Sequence, residues 1–147
     1  MADVITWVEP EMVTLRGKSR PDFVDDDRYT AAWWGNSASV GPPAYQWRSY
    51  IRLGEEVARI LLGLRFDAHS RHPSTALLVS NFEVREDMRC SGTHIGTTIV
   101  NQLDAEYRDR EIYIGPTSES KTFWARFGWP MCDCDQCRGR DLIVRRP

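Results

Sequence analysis

The run Arg89-Cys90-Ser91-Gly92-Thr93-His94-Ile95-Gly96-Thr97 has the makings of an anion seat. Apolar residues lead into a glycine turn, and the turn opens directly into an amphipathic stretch. Several backbone N–H groups then converge on one spot that also faces the positive end of a helix dipole, which suits a phosphate or pyrophosphate. A second cluster is Cys132, Cys134 and Cys137, three of the four cysteines within six residues. Thiolates this close can share a tetrahedral Zn(II) if a fourth ligand arrives, and Cys90 or His94 would serve if the loops meet. The spacing is not a paired C-x-x-C…C-x-x-C, and a reduced polar loop is the alternative. Asp25, Asp26 and Asp27 with Trp33 and Trp34 form a third group. Acidic side chains beside aromatics suit a cationic amine through charge and cation–π contact; the alternative is a solvated helix start plus one core tryptophan.

The elements that would position these groups follow from hydrophobic period and turn residues. Residues 4–8 read as a short strand. Residues 20–34 read as helical or irregular, with Pro21 near a helix start and Gly35-Asn36 as a stop. The Gly-, Pro- and Ser-rich run 36–44 is a loop. Residues 46–53 and 56–66 form a hairpin turning at Gly54-Glu55. In its first strand Arg48, Tyr50 and Arg52 alternate with Trp47, Ser49, Ile51 and Leu53, as in a sheet with one wetter face. Residues 67–74 are a loop and 75–85 a strand, whose Ala76-Leu77-Leu78-Val79 is apolar on both faces and therefore central. After the glycine turn, Ile95, Ile99, Val100, Leu103 and Tyr107 share one helix face. Residues 111–115 are a further strand, and Pro116-Thr117 starts a short helix with Phe123 and Phe127 one turn apart. Gly128 ends it, 132–139 is a polar loop, and 141–145 is the final strand.

This order of strand, glycine loop, helix, strand, short helix and aromatic-Gly-aromatic resembles the GNAT superfamily of acyl-CoA-dependent N-acyltransferases. Two blocks carry the resemblance, which is specific from about Ala76 to Trp129. One is the pyrophosphate loop, Arg/Gln-x-x-Gly-x-Gly/Ala. It fits as Arg89-Cys90-Ser91-Gly92-Thr93-His94, which puts His94 at a small-residue position. It also fits as Ser91 to Val100, which loses the arginine but sets Ile95, Ile99 and Val100 on the buried face; helix phase favours this second fit. The other block is Phe123-Trp124-Ala125-Arg126-Phe127-Gly128-Trp129.

The resemblance implies one α/β (α+β) domain over 1–147, built on a mixed, mostly antiparallel sheet of six to seven strands. That sheet is splayed at the acyl-CoA site and flanked by helices. It implies acetyl-CoA (acyl-CoA) as cofactor, with the pantetheine arm added along the edge of Phe82, Glu83 and Val84. Gly92 and the amides from Cys90 to Thr97, including Ser91, Thr93, His94, Ile95 and Gly96, would surround the phosphates, with Arg89 beside them. Thr117, Ser118 and Trp124 would lie along the arm. An acceptor amine attacks the thioester, a general base removes a proton, and a backbone N–H stabilises the oxyanion. Glu83 is the base candidate, against a plain solvated strand residue; Asp67 and His69 are weaker ones. The family's proton-donating tyrosine is replaced by Trp124, whose indole is a donor only, so Tyr113, His94 or water would supply the proton. Residues 20–45, with Asp25, Asp26, Asp27, Trp33 and Trp34, would wall the acceptor cleft.

Composition bounds the rest. A chain of 147 residues suits one core, and a net charge of -2 gives no global pull toward nucleic acid. No apolar run reaches the ~20 residues that span a bilayer, and the start lacks the pattern of a signal peptide. A cytoplasmic setting is expected, with reduced cysteines. The expected partner is a small-molecule or peptide amine, with a homodimer left open. Three readings remain: an N-acetyltransferase, a GNAT-like module that holds acyl-CoA without turnover, and a zinc-stabilised interaction domain.

Overall fold

A computed structural model describes residues 4–34, 45–66, 76–89, 92–135, 137 and 139–147. Six strands form the main sheet in the order β1-β4-β5-β6-β7-β8: β1 Ile5–Val8, β4 Tyr45–Arg52, β5 Glu55–Gly63, β6 Leu77–Val84, β7 Ile112–Ile114 and β8 Ile143–Arg145. All neighbours are antiparallel except β6 and β7, which run parallel. A separate hairpin pairs β2 Met12–Leu15 with β3 Lys18–Pro21. The helices are α1 Ala31–Trp34, α2 Ile95–Glu106 and α3 Lys121–Ala125. The expected mixed, mostly antiparallel α/β sheet is therefore present, with six strands. No helix among the described residues is long and apolar enough to cross a membrane.

Helix α2 buries Ile95, Ile99, Val100 and Leu103 against one sheet face. They meet Tyr50, Ile60, Leu62, Leu77, Val79, Ile112 and Ile114 in the main core. Each such side chain contributes roughly 1.5–3 kcal/mol when fully buried. The opposite face carries two smaller clusters. Phe23, Tyr29, Trp34, Trp47 and Leu61 pack at one end, and Ala76, Tyr113, Cys132, Cys137, Leu142 and Val144 at the other.

Local expectations need correction at five points. The hairpin at 12–21 went unread, although Arg16 and Gly17 both take positive φ (52° and 77°), the geometry of a tight two-residue turn. Pro21 accordingly closes a strand instead of lying near a helix start; of the segment read as helical or irregular, 22–30 is irregular and 31–34 helical. The next turn is Leu53-Gly54, both at positive φ, one residue earlier than expected. The wetter face of β4 does not exist: Trp47, Arg48, Ser49 and Tyr50 are all buried. Arg48 is tolerated there because its guanidinium lies 3.8 Å over Trp7 and donates to Glu106 (2.7 Å), the Tyr107 hydroxyl (2.9 Å) and Gln46 (2.8 Å). The last helix begins at Lys121, not at Pro116-Thr117. The loop 36–44 lies outside the described residues.

Candidate functional site

The parallel pair β6–β7 covers only Leu77–Val79 against Ile112–Ile114; β7 ends there while β6 runs on to Val84, so the pair opens and no strand among the described residues is paired with β6 on that side. On its other side β6 stays paired with β5 as far as Ala58↔Val84, with a register shift that leaves Ser80 unmatched. A bulge at the point of parting bends the strand and turns its edge. The Arg85 N–H donates to the Val57 carbonyl at 2.8 Å, which sets the alternation. Glu83 therefore spends its backbone groups on β5, whereas those of Phe82 and Val84 face the gap. Of the three edge residues expected from sequence, two present their backbone to the splay and the third presents a carboxylate.

Strand β6 runs into a turn held by buried Arg85, which donates to Asp87 (2.6 and 3.1 Å) and to the Glu56 carbonyl (3.0 Å). The chain then reaches Arg89, Gly92 (φ 79°), Thr93 and His94. Cys90 and Ser91 lie outside the described residues. His94, in the left-handed region (φ 54°), precedes the first turn of α2, and its own side chain makes no capping hydrogen bond. The amides of Ile95, Gly96 and Thr97 have no intrahelical partner by geometry and point out of the helix start. The buried face of α2 carries Ile95, Ile99, Val100 and Leu103, the face that helix phase predicts. A Cβ on Gly96 would stand 3.1 Å from two atoms of the Phe123 ring and 3.5 Å from Val84 Cγ2. Glycine thus lets the start of α2 lie directly against α3 and the splayed strand.

Arg89 is turned toward the strand. Its Nε donates to the Val84 carbonyl (2.8 Å) and its Nη2 to Glu83 Oε2 (2.8 Å), while the side chain stays about half exposed. Glu83 also accepts from the Thr30 N–H (2.8 and 3.1 Å), the Thr30 hydroxyl (2.7 Å) and Trp34 Nε1 (2.6 Å). Four donor groups fill the roughly four lone pairs of one buried carboxylate. Arg89 is the one donor among them that reaches it from the loop before α2.

Beyond Trp34 lies a cleft of about 380 Å³ lined by Val24, Asp25, Asp26, Asp27, Tyr29, Ala31, Trp34 and Arg59. Four of the five residues expected on the acceptor side line it; Trp33 instead packs on Trp34, with ring centroids 6.4 Å apart. Tyr29 and Arg59 were missed by sequence reasoning. Arg59 is buried, stacked 4.1 Å from Tyr29 and 4.4 Å from Phe23, and donates to Glu56 (2.8 Å). Burial pushes the Tyr29 phenol above its ordinary pKa, and its hydroxyl has no partner among the described residues. Hydrogen bonds from the Arg28 side chain and backbone hold Asp26 down at about 2. That lowered pKa stabilises the fold fully above the ordinary value of 3.8 and less and less as pH falls through about 2. The stability difference between wild type and Asp26→Asn should therefore be flat at neutral pH and vanish below that range, as read by urea titrations across pH. A difference that persisted unchanged in acid would remove Arg28 as the cause.

No protein-family model matches the sequence, and no curated protein does. Among solved structures the chain is similar to the Bacillus subtilis N-acetyltransferase YlbP, solved in complex with coenzyme A. The TM-score is 0.52 at 18% identity, covering 69% of this chain and 67% of that one. The two chains share a fold.

Within this fold the short helix brings a block of rings to the splay. Trp124 is buried and lies 6.0 Å from Phe82, 4.9 Å from Phe123, 5.8 Å from Phe127 and 5.8 Å from Trp129. The aromatic-Gly-aromatic motif is thus a packing device that seats α3 on β6. Thr117 and Ser118 are exposed before α3, and the Thr117 hydroxyl is engaged with Ser120 at 3.0 Å. Tyr113 is not brought to the gap. It sits in the second cluster with Phe66 and Cys132, donates to Glu111 (3.1 Å), and is raised in pKa by burial and by that bond. Sequence reasoning placed it on the right strand, but the alternation of β7 turns it to the other end of the opposite face.

Cys132, Cys134 and Cys137 converge, their sulfurs all within 4.8 Å of one another. Cys132 and Cys137 are buried, so this loop is not the wholly polar one expected. His94 is not part of the group, which removes it as a fourth ligand because it sits at the start of α2. Cys90, Asp67 and His69 lie outside the described residues.

Proposed function

We propose that this protein is an N-acetyltransferase that moves an acetyl group from acetyl-CoA directly to a primary amine. The observation that carries the reading is the junction of the open β6 edge with the start of α2, in a fold shared with a coenzyme A-bound N-acetyltransferase. The residues present fit the cofactor. The amides of Ile95, Gly96 and Thr97 would hold the pyrophosphate. The gap-facing backbone of Phe82 and Val84 would bind the pantetheine arm as an added strand, with Ser118 at its outer side. Acetyl-CoA supplies an acyl group activated as a thioester.

The chain's own groups do the rest. A backbone N–H facing the gap, on Phe82 or Val84, stabilises the oxyanion as the amine nitrogen attacks. The carbon–nitrogen bond would form, the carbon–sulfur bond would break, and coenzyme A would leave as the thiol once a proton reaches its sulfur. Trp124 cannot deliver that proton, so solvent does. Glu83 takes the amine's proton through water, and this requires Arg89 to release it. Arg89 can do so by turning to the pyrophosphate, which uncovers both a Glu83 oxygen and the Val84 carbonyl on the pantetheine edge. Cofactor binding and base release are thereby one event. The acidic and aromatic wall of Asp25, Asp27 and Trp34 suits a cationic acceptor, a small molecule or a peptide amine.

Acetyl-CoA at about a hundredfold excess over its dissociation constant should raise the unfolding midpoint by roughly 5–10 °C. Calorimetry should give one site per chain, and no binding would end the proposal. A thiol-release assay over a panel of amines then separates turnover from binding alone. Binding with no release across the panel favours the second reading, an acyl-CoA-holding module, which Trp124 at the usual tyrosine position supports. In the enzyme, Glu83→Gln lowers the release rate by about a hundredfold; an undiminished rate would take the base role from Glu83.

A further inference from the structure

The acyl-transfer reading leaves the cysteine cluster unused, and the cluster lies on the sheet face away from α2. Its loop is pinned at both ends. The Cys132 N–H donates to the Leu142 carbonyl (2.8 Å) and the Val144 N–H to the Pro130 carbonyl (2.8 Å), which ties the entry to β8. The Cys137 N–H donates to the Cys134 carbonyl (3.1 Å), closing a C-x-x-C turn, and the Arg140 N–H donates to the Cys137 carbonyl (2.9 Å). Gly139 (φ 82°) and Asp141 (φ 53°) bend the chain back into the strand. Between these anchors the other described side chains, Asp133, Asp135, Arg140 and Asp141, are exposed. Cysteines are the inward-facing side chains of the described part of the loop, so it has almost no apolar filling of its own. Such a loop orders well only if something cross-links its sulfurs.

We propose that Cys132, Cys134 and Cys137 bind one Zn(II) that fastens the α3–β8 loop to the sheet edge. A disulfide would join two of the sulfurs and strand the third, whereas the three converge. In tetrahedral zinc thiolate with Zn–S near 2.3 Å, sulfurs stand about 3.8 Å apart. The observed separations, all within 4.8 Å, need only a small contraction. Soft, closely grouped thiolates select zinc over hard cations. A counter-charge is already in place: Arg146 Nη2 lies 3.8 Å from Cys132 Sγ while its Nε contacts Glu111 at 3.3 Å. A guanidinium donating to a ligand sulfur offsets the net negative charge of a three-thiolate zinc centre and orients the ligand. The partly buried Cys134 leaves the cluster accessible, and the fourth donor is solvent.

The site is independent of acyl-CoA, so its test is too. Full-length protein purified without chelator should carry about one equivalent of zinc by mass spectrometry of the metal. Removing it with a chelator should lower the unfolding midpoint by about 5–10 °C, with recovery on adding zinc but not magnesium. Cys134→Ser, at the partly buried position, should hold zinc at least about tenfold less tightly in chelator competition. Should that variant fail to fold, cobalt titration of the wild-type apoprotein decides, since three thiolates give strong charge-transfer absorption and tetrahedral bands. Less than about one-tenth equivalent of zinc with no stabilisation by added zinc overturns the proposal. So does iron in its place, a mass lower by two hydrogens from a disulfide, or cobalt without thiolate charge transfer.

Discussion

Replacing Glu83 by alanine lowers the unfolding free energy by about 3 kcal/mol, whatever it does to catalysis. The carboxylate is one of few buried acidic groups in the sheet. Removing it strands the Trp34 indole N–H and the Thr30 N–H and hydroxyl, all held within 2.6–3.1 Å. Unpaired buried donors cost their full desolvation, about 1–3 kcal/mol each, part of which water entering the vacated space recovers. The salt bridge to Arg89 adds little, because Arg89 is about half exposed and already well hydrated. Urea titration with an unchanged slope checks the value, and a loss under about 1 kcal/mol would mean that Thr30 and Trp34 find other partners. Stability and rate must therefore be measured together at this position: a Glu83→Gln rate change counts as chemistry only at a temperature where the variant is folded.

Gly96→Val should weaken acetyl-CoA binding by about tenfold or more and cost about 1–3 kcal/mol of stability. The decisive distance is the 3.1 Å between a Cβ at this position and the Phe123 ring. An alanine there gains up to about 1 kcal/mol of helix propensity over glycine, which offsets a shift of a few tenths of an ångström in Phe123. Valine adds two methyl groups beyond that Cβ and loses propensity, so crowding wins and the start of α2 moves away from Val84 and α3. The amides of Ile95, Gly96 and Thr97 then no longer aim at the mouth of the splay. Calorimetry on wild type, Gly96→Ala and Gly96→Val should rank the three in that order. Undiminished binding by the valine variant would show that the helix start does not hold the cofactor.

Local order explains why the second half of the chain was readable. Helix α2 was legible because Ile95, Ile99, Val100 and Leu103 repeat at the helical period, and any mis-phased helix would expose them. Strand β6 and its central position were legible from Leu77, Leu78 and Val79, apolar on both faces. The N-terminal third was not, because the hairpin at 12–21 carries little alternation and its turn uses Arg16, a residue that rarely accepts a positive φ. Arg48 read as a surface residue because one sequence cannot reveal that Trp7, Glu106 and Tyr107 arrive from distant segments to neutralise it.

By itself the sequence determined the order of elements from residue 46 onward, the helix phase that places Gly92 to Thr97 at a helix start, and the grouping of three cysteines in one loop. These depend on neighbours within a few residues, where side-chain period and backbone torsion preference act directly. The tertiary structure alone decided what those groups face. It turned the Phe82 and Val84 backbone into the gap, closed Glu83 with Thr30, Trp34 and Arg89, and drew Asp25, Asp26, Asp27 and Tyr29 into one cleft. It also sent Tyr113 to the far end of the opposite face and brought the three sulfurs together. Such juxtapositions depend on strand register and on contacts between residues some fifty positions apart, as with Thr30 and Glu83, and register is set by burial summed over the whole sheet.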